Sequence, residues 1–220
     1  MKKIAFLTIL IIVITIMLNN LFSNKKTQES SVDEFLEAKQ EFQALQGKEG
    51  LQMATFAGGC FWCMEGPLES IEGVEAVVLG YTGGTVIDPN YKQISSGQTG
   101  HKEAALLFYD PAITQYRDLV DMYWKFIDPT DPDGQFADKG TQYKTAIFFH
   151  NAQQEDLAKE FIDKMKKSDK YDKPIVVEVL PAVEFYLAED YHQNYYKKQS
   201  KDYKSYYKGS GRESYVESNK

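Results

Sequence analysis

The stretch LQMATFAGGCFWCMEGPLESIEGVEAVVLGY, residues 51–81, changes its hydrophobic pattern twice. Residues 51–57 are mostly apolar and predict a β-strand, which two glycines end. Residues 61–71 then predict the start of a helix, and residues 74–81 predict a second strand. The stretch also holds both cysteines of the chain, Cys60 and Cys63, where the first strand gives way to the helix.

The segments that follow extend this pattern into a complete domain. Short apolar runs bounded by turn-forming residues predict three further strands, over residues 103–109, 143–149 and 175–180. Helical spacing of apolar residues predicts three further helices, over residues 114–128, after the capping residue Asn151, and over residues 185–198. The order β-α-β-β-α-β-α-β along the domain predicts an α+β fold with a mixed sheet.

Length and charge limit the classes of function. The chain has 220 residues, which fits one ordinary domain plus extensions. An apolar content of 43% is enough for a real core, so no disulfide scaffold is required. The formal net charge of −7 argues against a nucleic-acid partner, since such partners select basic surfaces.

The two ends of the chain differ from the predicted domain, residues 51–199. Two lysines precede the uncharged apolar run 4–18, so residues 1–22 predict a bacterial export signal or an N-terminal membrane anchor. We therefore expect an extracytoplasmic location in the cell envelope, membrane-anchored or secreted. Residues 23–50 are polar and predict a tether with some helix. Residues 200–220 are rich in Tyr, Lys, Ser and Gly and predict a solvated, linker-like tail.

The C-x-x-C spacing of Cys60 and Cys63 indicates redox chemistry more than stapling, because a disulfide would close only a tiny loop. Gly58 and Gly59 allow a tight turn that leaves the Cys60 sulfur accessible. The N-terminus of a helix stabilises a thiolate, so we expect the pKa of Cys60 to be lowered. Cys63 lies one turn further along the same face, within reach of a disulfide.

Several interpretations of this pair stay open from the residues alone. A zinc site requires about four ligands, and only three histidines accompany the two cysteines, none at paired spacing. A thioredoxin-like thiol-disulfide oxidoreductase or electron shuttle also places C-x-x-C at the start of a helix. Two buried, inert cysteines are the third interpretation.

Three blocks carry a specific resemblance to a known family. GGCFWCMEGPLESIEGVEAVVLGYTGG, GQTGHKEAALLFYDP and GTQYKTAIFF, in this order, closely resemble the A-type methionine sulfoxide reductases, the peptide-methionine (S)-S-oxide reductases. The resemblance runs from about residue 55 to about residue 198. It implies a ferredoxin-like two-layer sandwich with irregular additions, an enzyme that needs no metal or organic cofactor, and substrates that are free methionine sulfoxide or oxidised proteins.

The resemblance also implies roles for individual residues. Cys60 is the nucleophile that attacks the sulfoxide sulfur, and Glu103 is the acid that protonates the sulfoxide oxygen. Tyr81 and Tyr143 assist through their hydroxyls. The residues implied for substrate binding are Phe61, Trp62 and Asp138, and the supporting residues are Gly59 and His101. A carboxylic acid donates a proton at neutral pH only if its pKa is raised, and the apolar strand beside Glu103 is consistent with burial that raises it.

Many members of this family carry resolving cysteines in a C-terminal tail, whereas this chain has no cysteine after Cys63. The Cys60 sulfenic acid is therefore resolved by Cys63, which its position favours, or directly by a thioredoxin-like dithiol reductant outside the cytoplasm. The segment YYKGSGRESYV, residues 206–216, resembles the linker between fused A-type and B-type reductases. This leaves two alternatives: fusion or pairing with a B-type reductase, or a standalone relative that kept the linker. A disulfide shuttle or a catalytically inactive relative remains the alternative.

Overall fold

The computed structural model describes residues 36–219 of the chain. Residues from Ala44 onward form one compact unit, and residues 36–43 belong to a separate one. The predicted signal or anchor and the first part of the predicted tether lie outside the described residues, while residues 36–46 are helical. Between residues 36 and 219, no helix is both long and apolar enough to cross a membrane.

Eight strands and eight helices make up the described fold. The strands are β1 (Gln52–Ala57), β2 (Val74–Thr82), β3 (Lys102–Tyr109), β4 (Gly134–Gln135), β5 (Asp138–Lys139), β6 (Ala146–Phe149), β7 (Glu178–Pro181) and β8 (Phe185–Leu187). The helices are α1 (36–46), α2 (Trp62–Glu69), α3 (Tyr91–Ile94), α4 (Tyr116–Lys125), α5 (Ala152–Lys166), α6 (Tyr195–Lys198), α7 (Ser200–Gly209) and α8 (Arg212–Ser218). Two 3-10 turns occupy Thr141–Tyr143 and Asp190–His192.

Six strands form one mixed sheet in the order β7-β6-β1-β3-β2-β8, and β4 pairs with β5 in a separate hairpin. The pairing of β6 with β7 is parallel, and the other four pairings in the sheet are antiparallel. The central order β6-β1-β3-β2, with α2 linking β1 to β2 and α4 in the connection from β3 to β6, is ferredoxin-like. The predicted fold class is confirmed.

The core lies where α4 packs on the central strands. All eight residues of β3 are buried, which explains its continuous apolar run. Helix α4 places Tyr123 on Phe56 of β1, with ring centroids 4.9 Å apart, and the Tyr123 hydroxyl donates to the main-chain oxygen of Ala57 at 2.8 Å. Helix α5 begins as predicted, because the Asn151 side chain accepts a hydrogen bond from the N–H of Gln154.

The helix predicted over residues 185–198 is wrong for most of its length. The chain forms β8, a 3-10 turn and only the short helix α6 there. Strand β8 satisfies its main-chain groups by pairing with β2, where Gly80 lies opposite Leu187. A Cβ atom at Gly80 would lie 2.3 Å from the carbonyl oxygen of Tyr186, so only glycine permits this approach.

The solvated tail predicted over residues 200–220 is also wrong where the structure describes it. Helices α7 and α8 fill most of this segment, and the Arg212 side chain is 0% exposed. The guanidinium of Arg212 donates to the main-chain oxygens of Gly58 at 2.8 Å and Phe126 at 2.6 Å. A buried arginine with such partners fixes the tail onto the domain, so the tail belongs to the fold.

Gly80→Ala should destabilise the domain, because the added methyl group overlaps the Tyr186 carbonyl and the Phe185 ring. We expect the free energy of unfolding in urea to fall by about 1–3 kcal/mol. Gly209→Ala in α7 is the matched control, since nothing lies within 4 Å of the added Cβ and alanine favours the helix. An equal loss of stability in both variants would show that the β2–β8 contact is not tight.

Candidate active site

The cysteine pair lies where β1 turns into α2. Gly59 has φ +83°, a left-handed conformation that glycine adopts without strain, and this turn brings Cys60 to the residue before the helix cap Phe61. Cys60 is 6% exposed, Cys63 is 0% exposed, and neither forms a disulfide. The structure therefore brings together two reduced thiols that are largely shielded from water.

Gly59 is required for a second reason, which is the close approach of the C-terminal tail. A Cβ atom at this position would lie 2.6 Å from Nη2 of Arg212 and 2.6 Å from Cβ of Gln135. The turn beside Cys60 is thus packed tightly against α8 and the β4–β5 hairpin. We therefore interpret the predicted supporting role of Gly59 as allowing this close packing beside Cys60.

Burial raises the pKa of Cys60 well above its usual value, and its hydrogen bond with Cys63 adds to this effect. The lowered pKa predicted for Cys60 is therefore wrong for the resting site, because the cost of burying a thiolate outweighs the helix N-terminus. The same hydrogen bond lowers the pKa of Cys63, and the positive charge of Arg212 lowers it further.

Glu103 occupies β3 directly beside the pair. It is 2% exposed, and its Oε2 accepts a hydrogen bond of 3.1 Å from the N–H of Phe61. Burial raises the pKa of Glu103 well above its usual value, and a negative charge on Cys60, when it forms, raises it further. The carboxyl group therefore keeps its proton at neutral pH, as the predicted acid requires.

The two tyrosines predicted to assist, Tyr81 and Tyr143, have different hydrogen-bond partners in the structure. Tyr81 lies opposite Glu103 in the β2–β3 pairing, but its hydroxyl donates to Glu189 at 2.8 Å. Tyr143 is instead hydrogen-bonded to Tyr91 of α3. Burial raises the pKa values of Tyr91 and Tyr143, so both hydroxyls keep their protons. A negative charge on Glu103 would raise the pKa values of these two tyrosines and of Tyr81 further, so all three lie near the acid.

Aromatic rings form one wall of the site. Trp62 stacks on Tyr195 with centroids 3.8 Å apart, and its indole N–H donates to Nδ1 of His192 at 3.1 Å. Phe61 is 1% exposed and packs 5.0 Å from the His192 ring. Burial lowers the pKa of His192 to about 4, which keeps this imidazole neutral as an acceptor. Trp62 is thus the partly exposed apolar surface of this wall, and the buried Phe61 ring packs beside it with centroids 6.5 Å apart.

The remaining two predicted residues occupy different surroundings. Asp138 lies in the β4–β5 hairpin, where Oδ2 accepts a hydrogen bond from the Tyr206 hydroxyl, and its charge raises the pKa of Cys60. His101 contacts the loop after β2, with Nδ1 accepting from the N–H of Gly84 at 3.1 Å and Nε2 bonded to the oxygen of Val86 at 2.8 Å. His101 braces a loop, whereas Asp138 faces the thiols.

The sequence prediction missed five residues that the structure places around the thiols, namely Tyr91, Glu189, His192, Tyr206 and Arg212. One signal was visible for Arg212, since it is one of only two arginines among 25 basic residues. Tyr206 had no distinguishing signal among fifteen tyrosines. Within residues 36–219, no group of three or more His, Cys, Asp or Glu side chains is arranged to hold a metal ion.

Two reduced thiols beside a buried, protonated carboxylic acid define a thiol-dependent oxidoreductase. The family model for peptide methionine sulfoxide reductase matches residues 52–220. The protein "Peptide methionine sulfoxide reductase MsrA" of Listeria monocytogenes is 47% identical over 172 residues, which is 78% of this chain and 97% of the relative.

Solved structures agree with this match. Methionine sulfoxide reductase A of Corynebacterium diphtheriae superposes with a TM-score of 0.63 at 30% identity, covering 70% of this chain and 77% of that one. Mxr1 from Saccharomyces cerevisiae in reduced form also superposes with a TM-score of 0.63 at 30% identity, and the match covers 69% of this chain and 87% of that one. This chain belongs to the peptide methionine sulfoxide reductase family and is an oxidoreductase that reduces methionine sulfoxide. The predicted family is confirmed, and the disulfide shuttle is not favoured.

Tyr91→Phe should lower the turnover number more than Tyr81→Phe. The Tyr91 hydroxyl is paired with Tyr143 next to Glu103, whereas the Tyr81 hydroxyl is occupied by Glu189. We expect the turnover number of Tyr91→Phe to fall by about tenfold, because this variant lacks a hydrogen bond to the sulfoxide oxygen as that oxygen gains negative charge. Steady-state rates with methionine sulfoxide measure the difference. A larger decrease for Tyr81→Phe would restore Tyr81 to the assisting role.

Proposed function

We propose that this chain reduces the S epimer of methionine sulfoxide, free or in oxidised proteins, with Cys60 as nucleophile and Glu103 as acid. The observation that carries the proposal is the buried Glu103 carboxyl, held by the N–H of Phe61 beside the Cys60 sulfur. An acid in this position can protonate the oxygen of a bound sulfoxide, and that oxygen leaves only after it is protonated. Exchange between thiols and disulfides requires no such group.

In the first step, the Cys60 sulfur forms a bond to the sulfoxide sulfur while Glu103 donates its proton to the sulfoxide oxygen. The sulfur–oxygen bond and the new sulfur–sulfur bond then break as the hydroxyl moves to Cys60, which becomes a sulfenic acid while the thioether leaves. The proton that Cys60 loses on attack returns to the Glu103 carboxylate. One thiol and one sulfoxide thus give one sulfenic acid and one thioether. Cys60 is oxidised by two electrons, and the methionine sulfur is reduced by two.

The hydroxyls of Tyr91 and Tyr143 are placed to hold the sulfoxide oxygen during this step. Both keep their protons because burial raises their pKa values, so they can donate to an oxygen that gains negative charge. The methyl group of the substrate would lie against the indole of Trp62, which is apolar and partly exposed. The stacked Tyr195 ring holds that indole in place.

In the second step, Cys63 attacks the Cys60 sulfenic acid, and water leaves as the disulfide forms. Two observations support Cys63 as the resolving thiol: it is hydrogen-bonded to Cys60, and its pKa is lowered by that bond and by Arg212. A lowered pKa increases the fraction of attacking thiolate. An external dithiol of the thioredoxin-like class then reduces the disulfide through Cys60, the more exposed of the two sulfurs.

The proposed location is extracytoplasmic, at a membrane or secreted. Its support is the apolar run 4–18 after two lysines, which lies outside the described residues. The reductant would then be a dithiol donor on the same side of the membrane.

One turnover without reductant tests the proposed chemistry. The full chain is mixed with excess methionine S-sulfoxide and a sulfenic-acid trap, and the products are measured by mass spectrometry. We expect one methionine per chain and a Cys60–Cys63 disulfide, and trapped Cys60 sulfenic acid in Cys63→Ser. Glu103→Gln should slow methionine release at neutral pH by about a hundredfold or more, since it removes the general acid.

Glu65→Gln is the matched control for Glu103→Gln. Glu65 is also a buried glutamate, with its pKa raised by burial to about 7, but it accepts a hydrogen bond from the N–H of Asn194 instead of facing Cys60. We expect near-normal methionine release from Glu65→Gln. Absence of released methionine, or equal rates in the two variants, would overturn the proposed chemistry.

A further inference from the structure

Helix α7 of the C-terminal tail places the hydroxyl group of Tyr206 in the thiol site. Tyr206 donates a hydrogen bond to Oδ2 of Asp138, and its hydroxyl lies near enough to the Cys60 sulfur to lower the pKa of that thiol. Its ring meets Trp62 edge-on, with centroids 6.2 Å apart. Tyr206 therefore lies between the reacting sulfur, a predicted substrate-binding residue and the aromatic wall.

The segments on either side of this contact are held firmly. Arg212, three residues after the end of α7, is fully buried, and its Cζ lies 4.7 Å from the ring centroid of Phe136. Tyr215 of α8 packs edge-on against the same ring at 5.2 Å. Phe136 has φ 56°, an uncommon conformation for a residue with a side chain, in the turn that leads to Asp138. The tail thus clamps the hairpin that presents Asp138 and fixes Tyr206 against it.

Tyr206 has one hydroxyl proton to donate, Asp138 accepts it in the structure, and the Cys60 sulfur is a second possible acceptor. Burial raises the pKa of Tyr206 far above its usual value, so the phenol keeps the proton that it donates. A hydrogen bond strengthens when its acceptor becomes charged. The acceptor that carries more negative charge therefore receives the hydrogen bond.

We propose that Tyr206 is a further catalytic residue, whose hydroxyl donates a hydrogen bond to Asp138 in the resting site and to the Cys60 sulfur as that sulfur becomes anionic. The proton stays on the phenol oxygen throughout, and only the direction of donation changes. The role of this donor is to stabilise a nucleophile that burial would otherwise leave as an unreactive thiol. The inference rests on the proposed function of Cys60.

Other groups near Cys60 also affect its titration. The titratable and charged residues that lie near this sulfur or its immediate partners are Cys63, Tyr91, Glu103, Asp138, Tyr143, Tyr203, Tyr206, Tyr207 and Arg212. The Asp138 charge raises the pKa of Cys60, whereas the Tyr206 hydroxyl lowers it. Removing the two partners of this one hydrogen bond should therefore shift the Cys60 titration in opposite directions.

Alkylation of Cys60 by iodoacetamide, measured against pH in a Cys63→Ser background, tests this role without any turnover of sulfoxide. Tyr206→Phe keeps the ring but removes the donor. We expect alkylation to slow by about tenfold at neutral pH, with the midpoint moving about one pH unit higher. Asp138→Asn removes the competing charge, and we expect its midpoint to move lower. With Cys63 intact, Tyr206→Phe should also lower kcat by about tenfold.

Tyr207→Phe is the matched control, because Tyr207 is the next residue of α7 and no side-chain hydrogen bond joins its hydroxyl to another described residue. Its alkylation profile should match that of the parent. Equal midpoints for Tyr206→Phe and Tyr207→Phe would overturn the proposal, and so would shifts of Tyr206→Phe and Asp138→Asn in the same direction. Because alkylation reports on the thiol alone, it separates this role from a failure of sulfoxide reduction.

Discussion

The hydrogen bond from the main-chain N–H of Phe61 to the Glu103 carboxyl is the constraint on which the site depends. It joins the turn after β1 to the start of β3, the two strands that pair over five residue positions at the centre of the sheet. Because the acceptor lies on a fully buried strand and the donor caps α2, neither group can move independently. The sheet therefore sets the position of the acid relative to the nucleophile, which lies one residue before the donor.

Burial in this site has opposite effects on the two reacting groups. It keeps Glu103 protonated, which suits an acid, but it also keeps Cys60 protonated, which weakens a nucleophile. The chain compensates through the C-terminal tail, whose Tyr206 hydroxyl favours the Cys60 thiolate and whose Arg212 guanidinium favours the Cys63 thiolate. A site that excludes water can thus hold both a neutral acid and an ionisable thiol pair. The tail is part of this arrangement although it contains no cysteine.

Sequence patterns correctly predicted those parts of the structure that depend on residues adjacent in the chain. The strand over residues 51–57, the cap at Asn151 and the glycine turn before Cys60 all follow from residues adjacent in sequence, and the structure contains each of them. Residues 185–198 and the tail were predicted wrongly because distant contacts decide their structure. The absence of a Cβ at Gly80 permits β8, and the bond from Arg212 to Gly58 spans 154 residues of sequence. The raised pKa of Cys60 likewise results from burial, which the spacing of the motif does not reveal.

The protonation state of Glu103 is the most direct test of this account. Infrared spectra of the reduced full-length chain should show the C=O stretch of a protonated carboxylic acid at neutral pH, and the part of this band that comes from Glu103 should be missing in Glu103→Gln. Glu65 titrates near neutrality and contributes equally to both spectra, so the difference isolates Glu103. A band that persists into mildly alkaline solution is the predicted result. A difference spectrum showing an ionised carboxylate at neutral pH would contradict the account, because Glu103 would then have no proton to donate.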